Sequence, residues 1–349
     1  MNILYIGKVT YGNTCYSKYR GFIRHGWNPS VINIEDYKIT NLPINKISAK
    51  LSRYNTKRIL SEIKDQSLKK YDYIFFDQPF YIDSLTIDFI KNNSNSKIIF
   101  HFTDDIEYLR HGLLLEKKIF EKCDYIFTCN HHSINYLKTN GIDHVYFNEL
   151  GYDDEYLTKS EVDKFKNDSV TFGFIGHFEE EYKNSIDNIS KTITQINNES
   201  VLNARLHVYG TGWRRNNLFK SPKYLQSQPL FNKGHGSLSH ENYWKLISEF
   251  EIGVGLFSSM NRNRTAGRTF EIPASNTILF TKGSDVISNL FEDRETAIFW
   301  EDNNLNDVIQ YTLSDKSELN RICKNGHEFI KDNKFTWFDR VGEIIKTLN

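Results

Sequence analysis

Short apolar runs alternate with amphipathic stretches along all 349 residues. This is the pattern of strands joined by crossover helices into parallel sheets. In the first half, strands are predicted at Ile3–Ile6, Ser30–Ile34, Tyr73–Phe76, Lys97–Phe102, Tyr125–Thr128 and Val145–Phe147. Runs such as KYDYIFFD and KCDYIFTC carry β-branched and aromatic residues at the density of strands covered on both faces. Between the first two strands, Cys15 to Gly26 reads as a helix stopped by His25-Gly26.

The segment Thr158 to Asp168, TKSEVDKFKND, is charged and poor in apolar residues, which marks a linker or a short helix. Strands then restart at Val170–Ile175, Leu206–Tyr209, Leu230–Phe231, Ile252–Phe257, Ile278–Thr281 and Ala297–Trp300. Ile186, Ile189, Ile193 and Ile196 lie between the first two of these, spaced along one helical face. Each half therefore offers about six strands. The tail from Phe335 to Leu348 is one more amphipathic helix, expected to pack back on the first half. The expected class is α/β with parallel sheets: a first domain at 1–157, a linker at 158–168, a second domain at 169–332, and a returning helix at 333–349. Ligands of such folds bind beyond the carboxyl ends of the strands.

Composition narrows the classes. Hydrophobic residues at 39% and aromatics at 14% are enough for two cores and exclude a disordered chain. Lys plus Arg equals Asp plus Glu at 44 each, so no global field draws the protein to nucleic acid or anionic lipid. Cys15, Cys123, Cys129 and Cys323 show no CxxC spacing, and a reduced cytoplasmic compartment is expected, without disulfides. The N-terminus MNILYIGKVTYGN reads as a strand entering a loop rather than a signal peptide. No stretch approaches the roughly 18 apolar residues of a membrane span, so any membrane role would be peripheral, at the inner face.

The sharpest chemistry lies in GLFSSMNRNRTAGRTFEIPASNTILFT, Gly255 to Thr281. A strand end, a polar loop and a helix start bring Arg262, Arg264 and Arg268 beside Gly267. Helix N–H groups and guanidinium forks at one place suit a diphosphate. Glu271, one turn on, is of the type that accepts hydrogen bonds from a ribose diol; the rival reading is a solvated loop with a capping glutamate. In VTFGFIGHFEEEYKN, Gly173 and Gly176 follow a strand, and in LHVYGTGWRR, Gly210 and Gly212 do the same. Both runs fit close approach of a phosphate or base, and both fit a plain turn. IIFHFTDDIEY ends a first-half strand in His101, Asp104 and Asp105. A carboxylate there suits a general base or stabilises an oxocarbenium-like centre, while Asp104 equally suits a cap for a helix starting near Ile106. The loop containing Tyr11, Gly12 and Asn13 closes over a ligand or merely connects strand to helix. His131-His132 diverge on a helix and no HExxH or paired CxxC occurs, so no metal is expected.

The second half resembles the CgeB-like (spore-maturation-type) glycosyltransferases of the group 1 superfamily. Four segments carry the likeness in the family's order: VTFGFIG, LHVYGTGW, GSLSHENYWKLISEFEIGVGLFS and GRTFEIPASNTILFT. The first half matches more loosely, through the N-terminal strand and loop, FTDD and KCDYIFTCN. The resemblance implies a GT-B architecture of two facing Rossmann-like domains, with donor nucleotide bound by the second and acceptor largely by the first. It also implies a final helix crossing between them.

Glu271 falls where related retaining enzymes place a ribose-binding glutamate. Asn263 stands where those enzymes often carry a second glutamate, and Lys183 near where many CgeB-like sequences show arginine. The donor-binding set is Gly176, His177, Lys183, Tyr209, Gly210, Gly212, Asn263, Arg264, Gly267, Arg268, Thr269 and Glu271. The acceptor side takes Tyr11, Gly12, Asn13 and His101, and catalysis falls to Asp104 and Asp105. The expected activity is metal-independent transfer of a sugar from a nucleotide-diphosphate donor to a glycan, lipid-linked or protein acceptor. A nucleotide-sugar 2-epimerase and a catalytically degenerate scaffold are the alternatives; turnover without an acceptor marks the first, binding without transfer the second.

Overall fold

Two parallel sheets with the same strand order organise the chain. The computed structural model describes residues 1–34, 48–78, 82–107, 117–156, 164–165, 169–210, 213, 240–258, 262 and 265–349. It divides into two compact units, Met1–Gly151 with Met260–Asn263 and Thr336–Asn349, and Tyr152–Ser259 with Arg264–Phe335. The divisions fall at 151/152 and 335/336, against 157 and 333 in the sequence reading.

Unit 1 contains β1 (Asn2–Gly7), β2 (Asn28–Asn33), β3 (Tyr73–Asp77), β4 (Lys97–Phe102), β5 (Tyr125–Thr128) and β6 (Val145–Phe147). They pair in parallel in the order β2-β1-β3-β4-β5-β6. Its helices are α1 (Thr14–Arg24), α2 (Ser48–Lys64), α3 (Ser84–Asn93), α4 (Lys117–Glu121) and α5 (His131–Thr139). The last helix of the chain, α12 (Trp337–Leu348), belongs to this unit. It lies so close to α1 that a β-carbon on Gly21 would stand 2.9 Å from Val341 Cγ2.

Unit 2 contains β7 (Val170–Ile175), β8 (Ala204–Tyr209), β9 (Ile252–Gly255), β10 (Ile278–Lys282) and β11 (Ile298–Trp300), in the order β11-β10-β9-β7-β8. Its helices are α6 (Glu180–Glu199), α7 (His240–Glu249), α8 (Gly267–Ala274), α9 (Asp285–Leu290), α10 (Leu305–Ser314) and α11 (Lys316–Asp332). Ile186, Ile189, Ile193 and Ile196 form the buried face of α6. The strand expected at Leu230–Phe231 lies outside the described residues. The one expected at Ile252–Phe257 ends at Gly255, where the chain leaves the sheet for the loop toward α8.

Counted within its own unit, each sheet carries the doubly wound order 2-1-3-4-5, with the switch between its first and third strands. Chain directions diverge there, opening a crevice at the carboxyl edge. In unit 1 the switch lies between β1 and β3, and in unit 2 between β7 and β9. All four cysteines are buried thiols, none of them in a disulfide.

The charged segment at 158–168, read as a linker or a short helix, lies mostly outside the described residues, and two of its positions are described. Phe165 is buried in the core of unit 2. Lys164 Nζ donates to Phe250 O at 3.0 Å and to Thr277 Oγ1 at 2.8 Å, and reaches Ser275 O at 3.4 Å. An ammonium thus caps the carboxyl ends of α7 and α8, where the helix dipoles are negative.

Burial lowers the Lys164 pKa from the usual 10.5 to about 8. Between those values the unfolded chain holds the proton and the folded one does not, so stability should rise with pH across that window. Urea unfolding should therefore show wild type gaining on Lys164→Met, by at most about 3 kcal/mol, between about pH 7.5 and pH 10. A constant difference would mean that Lys164 titrates normally.

Candidate functional site

The carboxyl edge of the second sheet gathers most of the polar residues that the sequence marks out. At the end of β7, Gly176 N donates to Tyr209 O at 2.8 Å, and Trp213 Nε1 donates to Gly176 O at 2.8 Å. Gly210 has φ +135, and a β-carbon there would overlap the Gly176 carbonyl oxygen. Only glycine allows these two strand ends to meet so closely. His177 follows immediately and is exposed.

From the other side of the switch comes α8. It packs on β9 through Ile272, which fills the space above Gly253 that any side chain there would need. The helix starts at the predicted point: Ala266 is extended at the N-cap, and Thr269 Oγ1 accepts from Ala266 N at 3.0 Å. Thr269 therefore caps the helix rather than facing outward. Asn276, with φ 53, closes the far end in the left-handed conformation that asparagine tolerates.

Arg268, in the first turn, projects over the Phe174 ring, 5.9 Å from its centroid. Its Nη2 lies 3.6 Å from where a β-carbon of Gly176 would stand. Its Nε is buried with no hydrogen-bond partner. Glu271 curls back along the helix, its carboxylate beside Gly267. It accepts a short hydrogen bond from the Tyr243 hydroxyl of α7. Burial pushes the Glu271 carboxyl above its usual range, against the opposing pull of Tyr243 and the Arg268 guanidinium. Burial and the neighbouring carboxylate likewise hold the Tyr243 phenol well above its usual value.

The structure thus brings together Gly176, Tyr209, Gly210, Gly267, Arg268 and Glu271. Lys183 instead pairs with Glu180 at 3.2 Å on α6. Gly212, Asn263 and Arg264 lie outside the described residues. Tyr243 was missed in the sequence, although the run containing it was singled out. A tyrosine on an amphipathic helix carries no mark of the residue it will meet.

In unit 1 the two aspartates after β4 receive different surroundings. Asp105 is wholly buried, and both of its oxygens are engaged: Oδ1 accepts from Glu107 N at 2.9 Å and Oδ2 from Arg262 Nε. Arg262 also donates to Glu107 Oε2 at 2.9 Å, so the first of the three loop arginines is committed to carboxylates. Asp105 thus closes the turn at Glu107. Asp104 is partly exposed.

His101, expected on the acceptor side, is instead sealed inside the unit. Its Nδ1 lies 3.1 Å from Lys18 Nζ and 3.2 Å from Asp77 Oδ1, and Lys18 Nζ donates to Asp77 Oδ1 at 2.6 Å. The Tyr5 hydroxyl donates to Asp77 Oδ2, and the Trp337 ring lies 5.0 Å from Lys18 Nζ. Burial and the Lys18 ammonium keep His101 below its usual pKa. Burial raises the Asp77 carboxyl, but Lys18 and His101 outweigh it and hold it far below the carboxylate range. Buried charge of this kind persists only when fully paired. Neither Lys18 nor Asp77 was selected from sequence: Lys18 reads as one more cation of a surface helix, and the predicted strand stopped one residue before Asp77.

Of the acceptor-loop residues, Tyr11 is exposed, Gly12 has φ 82, and Asn13 caps α1 by accepting from Cys15 N at 3.0 Å. Asn13 is therefore engaged in the helix start.

Residues 189–346 match the family model described as glycosyl transferase-like. The chain is a glycosyltransferase. Solved structures agree on its fold over nearly the full length. Sucrose-phosphate synthase from Thermosynechococcus elongatus aligns with TM-score 0.67 at 14% identity, covering 100% of this chain and 99% of that one. HepE from Anabaena, in complex with UDP and glucose, aligns with TM-score 0.63 at 11% identity, covering 100% and 99%. MnaA from S. aureus, solved with UDP, aligns with TM-score 0.54 at 11% identity, covering 99% and 94%. At these identities the likeness establishes the GT-B fold of the glycosyltransferase. No curated protein matches the sequence. Among the described residues no helix is long and apolar enough to cross a membrane.

Proposed function

We propose that this glycosyltransferase holds a nucleoside-diphosphate sugar at the carboxyl edge of unit 2 and an acceptor at the carboxyl edge of unit 1. The acceptor is a glycan, a lipid-linked saccharide or a protein, and transfer proceeds without a bound metal. The observation that carries the donor reading is Arg268, set in the first turn of α8 beside Gly176 with a buried, unpartnered Nε. A buried guanidinium N–H without a partner is costly. A phosphate oxygen at the helix N-terminus supplies that partner, and the free N–H groups of the first turn add to it.

In this reading Glu271 takes a ribose hydroxyl, and ionisation of its raised carboxyl is favoured when that hydroxyl donates to it. UDP in the HepE and MnaA structures favours uridine as the first base to test. The segments VTFGFIG, LHVYGTGW and GRTFEIPASNTILFT support assignment to the CgeB-like subtype. A cytoplasmic protein resting at the inner membrane face fits a lipid-linked acceptor.

A thermal-shift series with UDP, GDP, ADP, CMP and dTDP, with and without EDTA, tests the donor reading. At about 100 times the dissociation constant the preferred nucleotide should add about 2.7 kcal/mol of stability, unaffected by the chelator. No shift with any of the five removes the donor site, and a shift abolished by EDTA removes metal independence.

A further inference from the structure

The first acidic residue of the chain is Glu35, and Lys8, Lys18, Arg20 and Arg24 all precede it. In a protein of zero net charge this is a segregated basic segment. Its helix, α1, buries Cys15, Ser17, Lys18, Gly21 and Phe22, with Lys18 turned inward onto Asp77. The outer face is Tyr16, Tyr19, Arg20, Ile23 and Arg24, neighbours at spacings of three and four. An ordinary surface helix is polar and charged there. This face contains no acidic residue, and Ile23 is 45% exposed.

The loop before the helix continues the same surface. Tyr11, 51% exposed, stands edge-on to Tyr16 with ring centroids 5.6 Å apart, and Tyr19 follows at 6.3 Å from Tyr16. The guanidiniums lie along the rings: Arg20 is 5.8 Å from the Tyr16 centroid, and Arg24 is 4.3 Å from that of Phe338 on α12. Of the acidic residues on α12, which packs against α1, Asp339 is held by Thr336 and Glu343 by Arg340.

We propose that the outer face of α1, together with Tyr11, is the surface by which this protein rests on an anionic lipid bilayer. The proposal rests on the membrane-face reading given above and adds the docking surface and the lipid class. Charge complementarity selects the occupant. Arginines with no carboxylate on the same face meet anionic headgroups, while tyrosine rings sit at the headgroup level with their hydroxyls wet. Ile23, flanked by the two arginines, enters the acyl boundary. A second copy docked symmetrically on this face would set the same arginines against each other. Tyr11 belongs to the loop at the carboxyl end of β1. A bilayer under α1 therefore brings the carboxyl edge of unit 1 to the depth at which a lipid-linked saccharide presents its sugar.

Co-sedimentation of the full chain with vesicles tests this, comparing phosphatidylcholine alone with phosphatidylcholine mixed with phosphatidylglycerol. Binding is expected to the mixed vesicles only, and added salt should release the protein. Each near-surface cation is worth about a five-fold change in partition, so Arg20→Gln with Arg24→Gln should weaken binding about 25-fold. Ile23→Ser should weaken it about 5-fold and leaves both ring contacts of the arginines in place. Wild-type melting temperature and nucleotide-induced shift should persist in the variants, which separates lost docking from lost fold. No binding to the mixed vesicles overturns the proposal, as does equal binding to both vesicle types, or binding that neither variant weakens. Self-association that Ile23→Ser abolishes, in place of vesicle binding, assigns the face to a second copy and overturns it too. Selective vesicle binding by a protein whose melting no nucleotide shifts upholds the proposal and removes the donor reading alone.

Discussion

Replacing Asp104 by Asn is expected to lower sugar transfer by about 10²–10⁴-fold while leaving nucleotide affinity nearly unchanged, the range for loss of a general base or charge stabiliser. Sequence alone offered two adjacent aspartates. The structure separates them. Asp105 is buried with both oxygens in use, one on Glu107 N and one on Arg262. A carboxylate so engaged is a poor base, since accepting a proton would break a charge-assisted bond to the guanidinium. Asp104, partly exposed after β4, is the residue we propose for the chemical role.

Asp105→Asn should act differently. It should loosen the turn at Glu107 and the hold on Arg262, lowering thermal stability more than turnover. Initial rates and nucleotide titrations on both variants decide the matter. Transfer at near-normal rates in Asp104→Asn, or the larger rate loss in Asp105→Asn, removes Asp104 from the reaction.

The second large effect concerns Arg268 and Glu271. Hydrogen bonds to charged groups are worth roughly 1.5–3 kcal/mol, so Arg268→Ala and Glu271→Gln should each weaken donor binding by about 10–150-fold. For Arg268→Ala two effects on the fold oppose each other, since the guanidinium offsets the Glu271 carboxylate while its Nε is an unsatisfied buried donor. Glu271 adds a pH signature. Its carboxyl sits above the usual range because it is buried, so the ionised form that a ribose hydroxyl prefers fills in only as pH rises. Donor affinity should therefore increase as pH rises above the ordinary carboxylate range in wild type and stay flat in Glu271→Gln. Tyr243→Phe, which takes away the hydroxyl bonded to Glu271, should raise that carboxyl further and move the pH dependence upward. Calorimetric titration of the purified variants measures all of this. Unchanged affinity in both Arg268→Ala and Glu271→Gln would eliminate the donor site described here.

Strand and helix positions were legible in the sequence because period and residue type are local properties. The buried runs KIIFHF and VTFGFI became β4 and β7 with the predicted limits, and the four isoleucines of α6 face the core. The start of α8 was legible too, since a glycine after an extended N-cap, an arginine and a threonine in the first turn are written consecutively. The likeness of GRTFEIPASNTILFT to the family pointed to Arg268 and Glu271 for the same reason: they share one short segment.

What required the tertiary structure was every relation across sequence distance. Lys18, Asp77 and His101 are separated by 59 and 83 positions from Lys18, and only the packing of α1 over β3 and β4 makes one buried cluster of them. That packing seals His101, read from the sequence as an acceptor-side residue, inside unit 1. Tyr243 meets Glu271 across 28 residues, and Arg262 reaches Asp105 across 157. Lys164, one charge in a stretch that reads as a linker or a short helix, caps two helix ends, and Phe165 beside it enters the core. Periodicity states which face of an element is buried. It does not state which other element covers that face, and the covering element decides whether a charge is solvated, paired or left waiting for a ligand.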